Sequence, residues 1–189
     1  MEYALSLPSR IRPAASLNER SAVNDDTYLA SVDSAFCALT DFQEDYPITV
    51  EADCSIDHAL ADMHRLAVHA LLVTRQEIGS EDPHVIGLIT YYDIERRFPH
   101  RYPQKAVSSG RPEVCVSEVM TACDDLALVK FESLEALTAC ELYEMFQGTG
   151  LTHLLVVEFH EDGSVLARGL VSRAALAKRL DRIRPALSR

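Results

Sequence analysis

One pattern runs through this sequence twice, and that repetition limits the possible folds more than any other feature. The first copy opens with a short strand, Ile48-Thr49-Val50. Ser55 then caps a helix whose inner face is Ile56, Ala59, Leu60 and Met63. An apolar strand, Ala70–Val73, a polar turn, Glu77–Pro83, and a second strand, Val85–Thr90, lead directly into Tyr91-Tyr92-Asp93-Ile94. The second copy keeps the order. Leu126–Val129 reads as a strand, and Ser133 reads as the start of a helix carrying Leu134, Leu137, Leu142 and Met145 or Phe146. His153–Val157 is the middle strand, Glu161–Ser164 a hairpin-like turn, and Val165–Ser172 the last strand before a helix from about Arg173 to Ile183. Ser133 lies 78 residues after Ser55, Leu154 lies 83 after Leu71, and Gly169 lies 82 after Gly87. These offsets predict about five extra residues between helix and middle strand in the second copy.

Each copy is strand–helix–strand–strand–helix, roughly 50–60 residues, too small to bury enough apolar surface alone. The expected fold is therefore α/β of the α+β type: two β-α-β-β-α repeats packed as a pseudo-twofold pair around a shared core. An N-terminal arm, residues 1–26, and a helix from Thr27 to about Thr40 precede them. The first domain is expected over residues 27–105, a Pro- and Ser-containing linker over 106–114 that leads into a short helix around Val116–Met120, and the second domain over 115–185.

Charge narrows the partners. With 18 Lys+Arg against 29 Asp+Glu the chain carries a formal −11, which argues against nucleic acid, whose binding rests on many cation–phosphate contacts. It argues less strongly against anionic membrane surfaces. A single phosphorylated small molecule needs only a local donor cluster and stays allowed. No run of 18 apolar residues occurs, so no membrane span is expected. The opening MEYALSLPSRIRPAAS has no basic region followed by an apolar one. Cys37, Cys54, Cys115, Cys123 and Cys140 form no CxxC pair; reduced, buried thiols in a cytoplasmic protein are expected.

The segments Gly87–Ile94 (GLITYYDI) and Gly169–Leu176 (GLVSRAAL) resemble the closing strand–helix signature of CBS domains, glycine–apolar–apolar–Thr/Ser–x–x–Asp. The stretch from Ser55 to Met63 is similar to that family's first helix. His153–Val156 resembles its middle strand, and Glu118-Val119-Met120-Thr121 the lead into a second copy. The likeness spans residues 35–183 and points to a tandem CBS pair, a Bateman module. The resemblance implies a sensory module that binds adenosine-containing ligands (AMP, ADP, ATP or S-adenosyl compounds) in clefts between paired domains, commonly as a homodimer. It implies that the motif Asp takes ribose hydroxyls, that the motif Thr or Ser contacts phosphate, and that apolar groups of the first and middle strands, Leu72 among them, hold the adenine.

The residues allow this chemistry and a plainer alternative. Thr90 stands where a strand becomes a helix, so free N–H groups and the positive helix end could meet a phosphate, and Asp93 one turn on can accept from two adjacent hydroxyls. Thr49 could offer a hydroxyl to the base or sugar edge, and of Tyr91-Tyr92 one could stack a base while the other packs on the first helix. Yet Thr90-x-x-Asp93 also reads as a capping box. In the second copy Ser172 keeps the hydroxyl but Ala175 replaces the Asp, so that site is expected to be weak or absent. Arg173 and Arg168 could reach a phosphate there or could be solvated. His58, His64 and His69 are spaced onto different helix faces, so no metal site is expected. No cofactor and no catalytic residue is expected, since no nucleophile elbow, Walker loop or HExxH occurs. The expected function is regulatory, by adenine-nucleotide binding; the alternative is a ligand-independent dimerisation scaffold for an unknown protein target.

Overall fold

The computed structural model describes residues 5–6, 12–13, 34–76, 83–99, 114–161 and 163–187, with side-chain surroundings from residue 34 to 181. The expected arm lies mostly outside this range, as do residues 27–33 of the expected helix, the turn over 77–82 and the linker over 106–113. The chain divides into two units, each assembled from separate stretches: residues 1–21 with 46–126, and 22–45 with 127–189.

In the first unit, β1 (Leu5–Ser6), β2 (Arg12–Pro13), β4 (Ile48–Glu51), β5 (Ala70–Arg75), β6 (His84–Thr90) and β7 (Thr121–Ala122) form the sheet. β4 runs parallel to β5, with Thr49 opposite Leu72, and β5 runs antiparallel to β6, with Leu72 opposite Leu88. The far edge of β6 takes β7 and β1, while β2 covers the outer edge of β4 in parallel. One face is closed by α1 (Ile56–Leu66) and α2 (Tyr91–Arg97). The anticipated inner face of α1, Ile56, Ala59, Leu60 and Met63, is buried together with Val50, Leu71, Val73, Ile89 and Ile94. Ser55 starts α1 by accepting from the His58 N–H at 3.3 Å. Ala67 ends the helix in the left-handed region, φ 53°. The expected helix near Val116 is one 3₁₀ turn, Val116–Glu118.

The second unit repeats the design. Parallel β8 (Leu128–Lys130) and β9 (His153–Phe159) are followed by antiparallel β10 (Val165–Ser172), and the far edge of β10 takes β3 (Leu39–Asp41). α3 (Phe131–Glu135), α4 (Ala139–Thr149) and α5 (Arg173–Leu187) bury Leu134, Leu142, Phe146 and Leu176 against Leu154, Val156 and Val171.

Two expectations are corrected here. Ser133 does not start the main helix of the second copy. It lies inside the short α3, and Thr138 caps α4 through a box in which Glu141 accepts from the Thr138 N–H at 2.9 Å. Thr138 is 83 residues after Ser55, the same offset as Leu154 from Leu71, so the extra residues precede the helix and form α3. The helix expected to end near Thr40 ends differently. Ala35–Ala38 is a 3₁₀ turn and Leu39–Asp41 is strand, because β3 hydrogen-bonds to β10.

The leading strands β3 and β7 explain the motif glycines. β3 precedes the first repeat in sequence but joins the sheet of the second unit. β7 precedes the second repeat but joins the sheet of the first. A Cβ on Gly87 would lie 2.5 Å from the Thr121 carbonyl oxygen, and one on Gly169 would lie 2.6 Å from that of Thr40. The glycines therefore admit a neighbouring backbone.

Candidate functional site

In the first unit the strand register sorts the candidates by face. Val50, Leu71, Val73 and Ile89 point to the helix-covered core. Alternation then puts Thr49, Leu72, Leu88 and Thr90 on the opposite face. Thr49 and Thr90 are the buried hydroxyls of this row, 3% and 4% exposed. The structure thus brings Thr49, Leu72 and Thr90 onto one surface and ties Asp93 to it; Leu88, opposite Leu72, belongs to the same row by register rather than by any local motif.

Thr90 is the N-cap of α2, and the capping box is fully formed. Asp93 Oδ2 accepts from the Thr90 N–H at 2.9 Å and from the Thr90 hydroxyl at 2.7 Å, and the Thr90 Oγ1 accepts from the Asp93 N–H at 3.2 Å. The Tyr91 N–H donates to the His69 carbonyl at 2.9 Å. The donors expected to be free for a phosphate are therefore largely engaged. Asp93 Oδ1, by contrast, carries no hydrogen bond among the described residues. The two oxygens of the carboxylate thus differ: Oδ2 holds the helix start, and Oδ1 accepts no hydrogen bond among the described residues.

Tyr91 and Tyr92 differ in their surroundings. Tyr91 packs on the first unit's core, edge-on to His64 and His69 with centroids 6.1 and 6.2 Å away. Tyr92 is 46% exposed in the first turn of α2. His58 instead faces Asp62, 3.7 Å away, and Asp62 also pairs with Arg65. Among the described residues no group of three or more His, Cys, Asp or Glu could hold a metal ion.

Register also identifies the equivalent positions of the second unit. Leu155 stands 83 residues after Leu72 and pairs with Leu128, so Leu128 is the counterpart of Thr49. Ser172, Ala174 and Ala175 are the counterparts of Thr90, Tyr92 and Asp93. Only the hydroxyl survives, and Ser172 Oγ accepts from the Ala175 N–H at 3.0 Å. Arg173, half-buried, follows it.

Arg168 is corrected from a phosphate or solvent candidate to a structural residue. It occupies a β-bulge between Ala167 and Gly169 and forms a bidentate pair with Asp41 of β3, at 3.0 and 2.8 Å, while also reaching Glu158 at 3.3 Å. Its guanidinium sits 4.2 Å from the centre of the Phe131 ring. Burial pushes the Asp41 carboxyl upward, but the Arg168 hydrogen bonds, the Gln43 N–H and the Arg168 charge outweigh it and hold its pKa below the usual range. The thiols are less buried than expected: Cys37, Cys54, Cys115 and Cys123 are partly buried and Cys140 is exposed. Burial, with nearby carboxylates, pushes Cys54 and Cys123 up to about 11, and burial raises Cys37 despite the Arg179 charge.

A family profile described as the CBS domain matches residues 40–100. Among solved structures, the CBS-domain containing protein ATU1752 from Agrobacterium tumefaciens shares 21% identity at a TM-score of 0.50, covering 74% of this chain and 89% of its own. CBSX2 from Arabidopsis thaliana, solved in complex with AMP, shares 20% identity at a TM-score of 0.50, covering 80% of this chain and 98% of its own. Both likenesses concern the fold. No curated protein matches the chain. Among the described residues no helix is long and apolar enough to cross a membrane.

Proposed function

We propose that this chain, whose residues 40–100 match the CBS-domain profile, is a regulatory module whose first unit binds an adenosine-containing ligand, AMP, ADP, ATP or an S-adenosyl compound, without catalysis of its own. The observation that carries this reading is the uncommitted Asp93 Oδ1, held in place by the bonds of Oδ2 to Thr90. A fixed carboxylate oxygen beside a buried Thr49–Leu72–Thr90 row can accept from ribose hydroxyls while the apolar positions take the base. The exposed Tyr92 ring is available for stacking. The AMP complex of CBSX2 supports this ligand class by likeness of fold. Ser172 and Arg173 mark the second position, which lacks the carboxylate and is proposed to bind weakly or not at all. We place the module in the cytoplasm, as a homodimer that acts on a protein target.

Thermal melts with AMP, ADP, ATP and S-adenosylmethionine test the proposal. A ligand at a hundredfold excess over Kd adds about 2.7 kcal/mol. Asp93→Ala lowers the ligand-free Tm by removing the cap and, on this reading, also abolishes the ligand-induced increment. An increment that persists in Asp93→Ala, or that no ligand produces in the native chain, refutes the assignment. The scaffold alternative draws on the second unit, where Leu128, Ala174 and Ala175 have replaced the polar and aromatic groups; it requires a dimer or complex indifferent to all four ligands.

A further inference from the structure

The two units treat one equivalent strand edge differently. In the first, the outer edge of β4 is covered by the chain's own β2, with Arg12 opposite Ile48 and Pro13 opposite Thr49 in parallel register. In the second, β8 pairs on one side with β9 and, among the described residues, with nothing on the other. The backbone there is prepared for pairing. The Leu155 N–H donates to the Ala127 carbonyl at 3.1 Å, and the alternation of a parallel ladder then turns the N–H and C=O of Leu128 outward. These are the counterparts of the Thr49 groups that face β2 in the first unit.

β8 is three residues long and carries Lys130, features that limit edge pairing, but it also leaves apolar side chains exposed. Leu128 is 46% exposed and Phe159 44%, with Lys130 Nζ 5.1 Å from the centre of the Phe159 ring. Lys130 is the one Lys or Arg between residues 124 and 161, a stretch that carries Asp124, Asp125, Glu132, Glu135, Glu141, Glu144, Glu158 and Glu161. Glu132 and Glu135, which follow β8 within the second unit, are exposed. The strand that covers the equivalent edge in the first unit, β2, carries Arg12, and Arg10 lies two residues before it in sequence.

We infer that β8 is a docking edge for an extended, arginine-bearing segment of a protein partner, which adds to the second unit's sheet in parallel as β2 adds to the first. Backbone pairing at Leu128 supplies the register, Leu128 and Phe159 the apolar contact, and the acidic surroundings the preference for a basic segment. The inference stands independently of the nucleotide reading, because it uses no residue of the Thr90–Asp93 site.

The probe is a synthetic peptide of residues 9–16, SRIRPAAS, titrated into the full isotope-labelled chain and followed by amide shifts. Saturable shifts centred on Leu128–Lys130 are expected, weakening as salt is raised. Leu128→Pro removes only an outward N–H, a change that edge strands tolerate, and is expected to weaken binding at least tenfold while the chain's own amide spectrum keeps its dispersion. Glu132→Lys with Glu135→Lys, which touches no backbone, is expected to do the same, and a peptide with both arginines replaced by glutamate is expected not to bind. No saturable binding at millimolar peptide, shifts confined to Ile48–Glu51, or undiminished binding by Leu128→Pro overturns the inference.

Discussion

Replacing Gly87 or Gly169 by alanine tests the account of the motif glycines directly. At Gly87 the added Cβ would meet the Thr121 carbonyl oxygen at 2.5 Å and Met120 Sδ at 2.9 Å; at Gly169 it would meet Leu39 Cδ1 and the Thr40 carbonyl oxygen, both at 2.6 Å. The sulfur can swing away, but the carbonyls belong to β7 and β3 and are held by ladder pairing. Each leading strand would have to recede by roughly 1 Å to restore an ordinary contact, stretching its own hydrogen bonds to the strand it covers. Overpacking of this kind costs about 1–3 kcal/mol. The loss of unfolded-state freedom from Gly to Ala returns about 0.4–1 kcal/mol. Taking mid-points, about 2 less about 0.7, the net is a destabilisation of about 1.3 kcal/mol, or roughly 3–5 °C in Tm for a chain of this size. Because the two glycines lie in different units, the double variant should lose about the sum. Gly148 is the internal control: in α4 an added Cβ meets nothing within 4 Å, so Gly148→Ala should stabilise by about 0.5–1 kcal/mol. Urea denaturation of all four variants reads these values. Gly87→Ala or Gly169→Ala as stable as the native chain would show that the leading strands do not need the glycines.

Further substitutions probe other links. Ala67 sits at φ 53° where the second unit has Gly150 at φ 69°; relief of a left-handed alanine outweighs the added chain freedom, so Ala67→Gly should raise stability by about 0.5–1 kcal/mol in a thermal melt. Ala175→Asp places a carboxylate where Asp93 stands in the first unit, completing a box with Ser172. It should stabilise by about 0.5–1 kcal/mol, and pH-dependent melts should show the gain vanish as the new carboxyl protonates. Asp41 has a folded pKa below its unfolded one, so its contribution is present above about pH 4 and is lost as pH falls through the lower folded value. Asp41→Asn should therefore lower stability at pH 7 and flatten the acid limb of the unfolding profile below pH 4. Arg168→Lys loses the bidentate geometry and the contact with Phe131, at a cost of about 1–2 kcal/mol by urea denaturation.

What the sequence made legible, and what it did not, follows from how far each interaction reaches along the chain. Strand alternation and the face of α1 are local patterns, and the order of elements in both repeats could be read from them. The start of α4 was also written locally. Thr138-Ala139-Cys140-Glu141 is a full capping box, whereas Ser133 has Ala136 where the acidic partner belongs; the repeat offset drew attention to the wrong hydroxyl. Leu39–Asp41 was beyond local reading, because its strand state depends on β10, well over a hundred residues later. The bulge that turns Arg168 onto Asp41 depends on the same pairing. In the site, Thr90 and Asp93 were legible as a motif, but not which carboxylate oxygen the cap occupies, and the equivalence of Thr49 with Leu128 needed the register.

That register separates two jobs within one signature. The glycine faces a neighbouring strand in both units, and both repeats keep it. The hydroxyl caps a helix in both, and both keep it, as Thr90 and Ser172. The aspartate adds a second oxygen that the cap does not use, and only the first repeat has it. A residue needed by the fold should persist in both copies of a structural repeat, while one needed only by a ligand can be lost from the copy that does not bind it. Asp93 is the member of the motif that architecture does not require twice, which is why it is the residue on which a ligand-binding role should be tested.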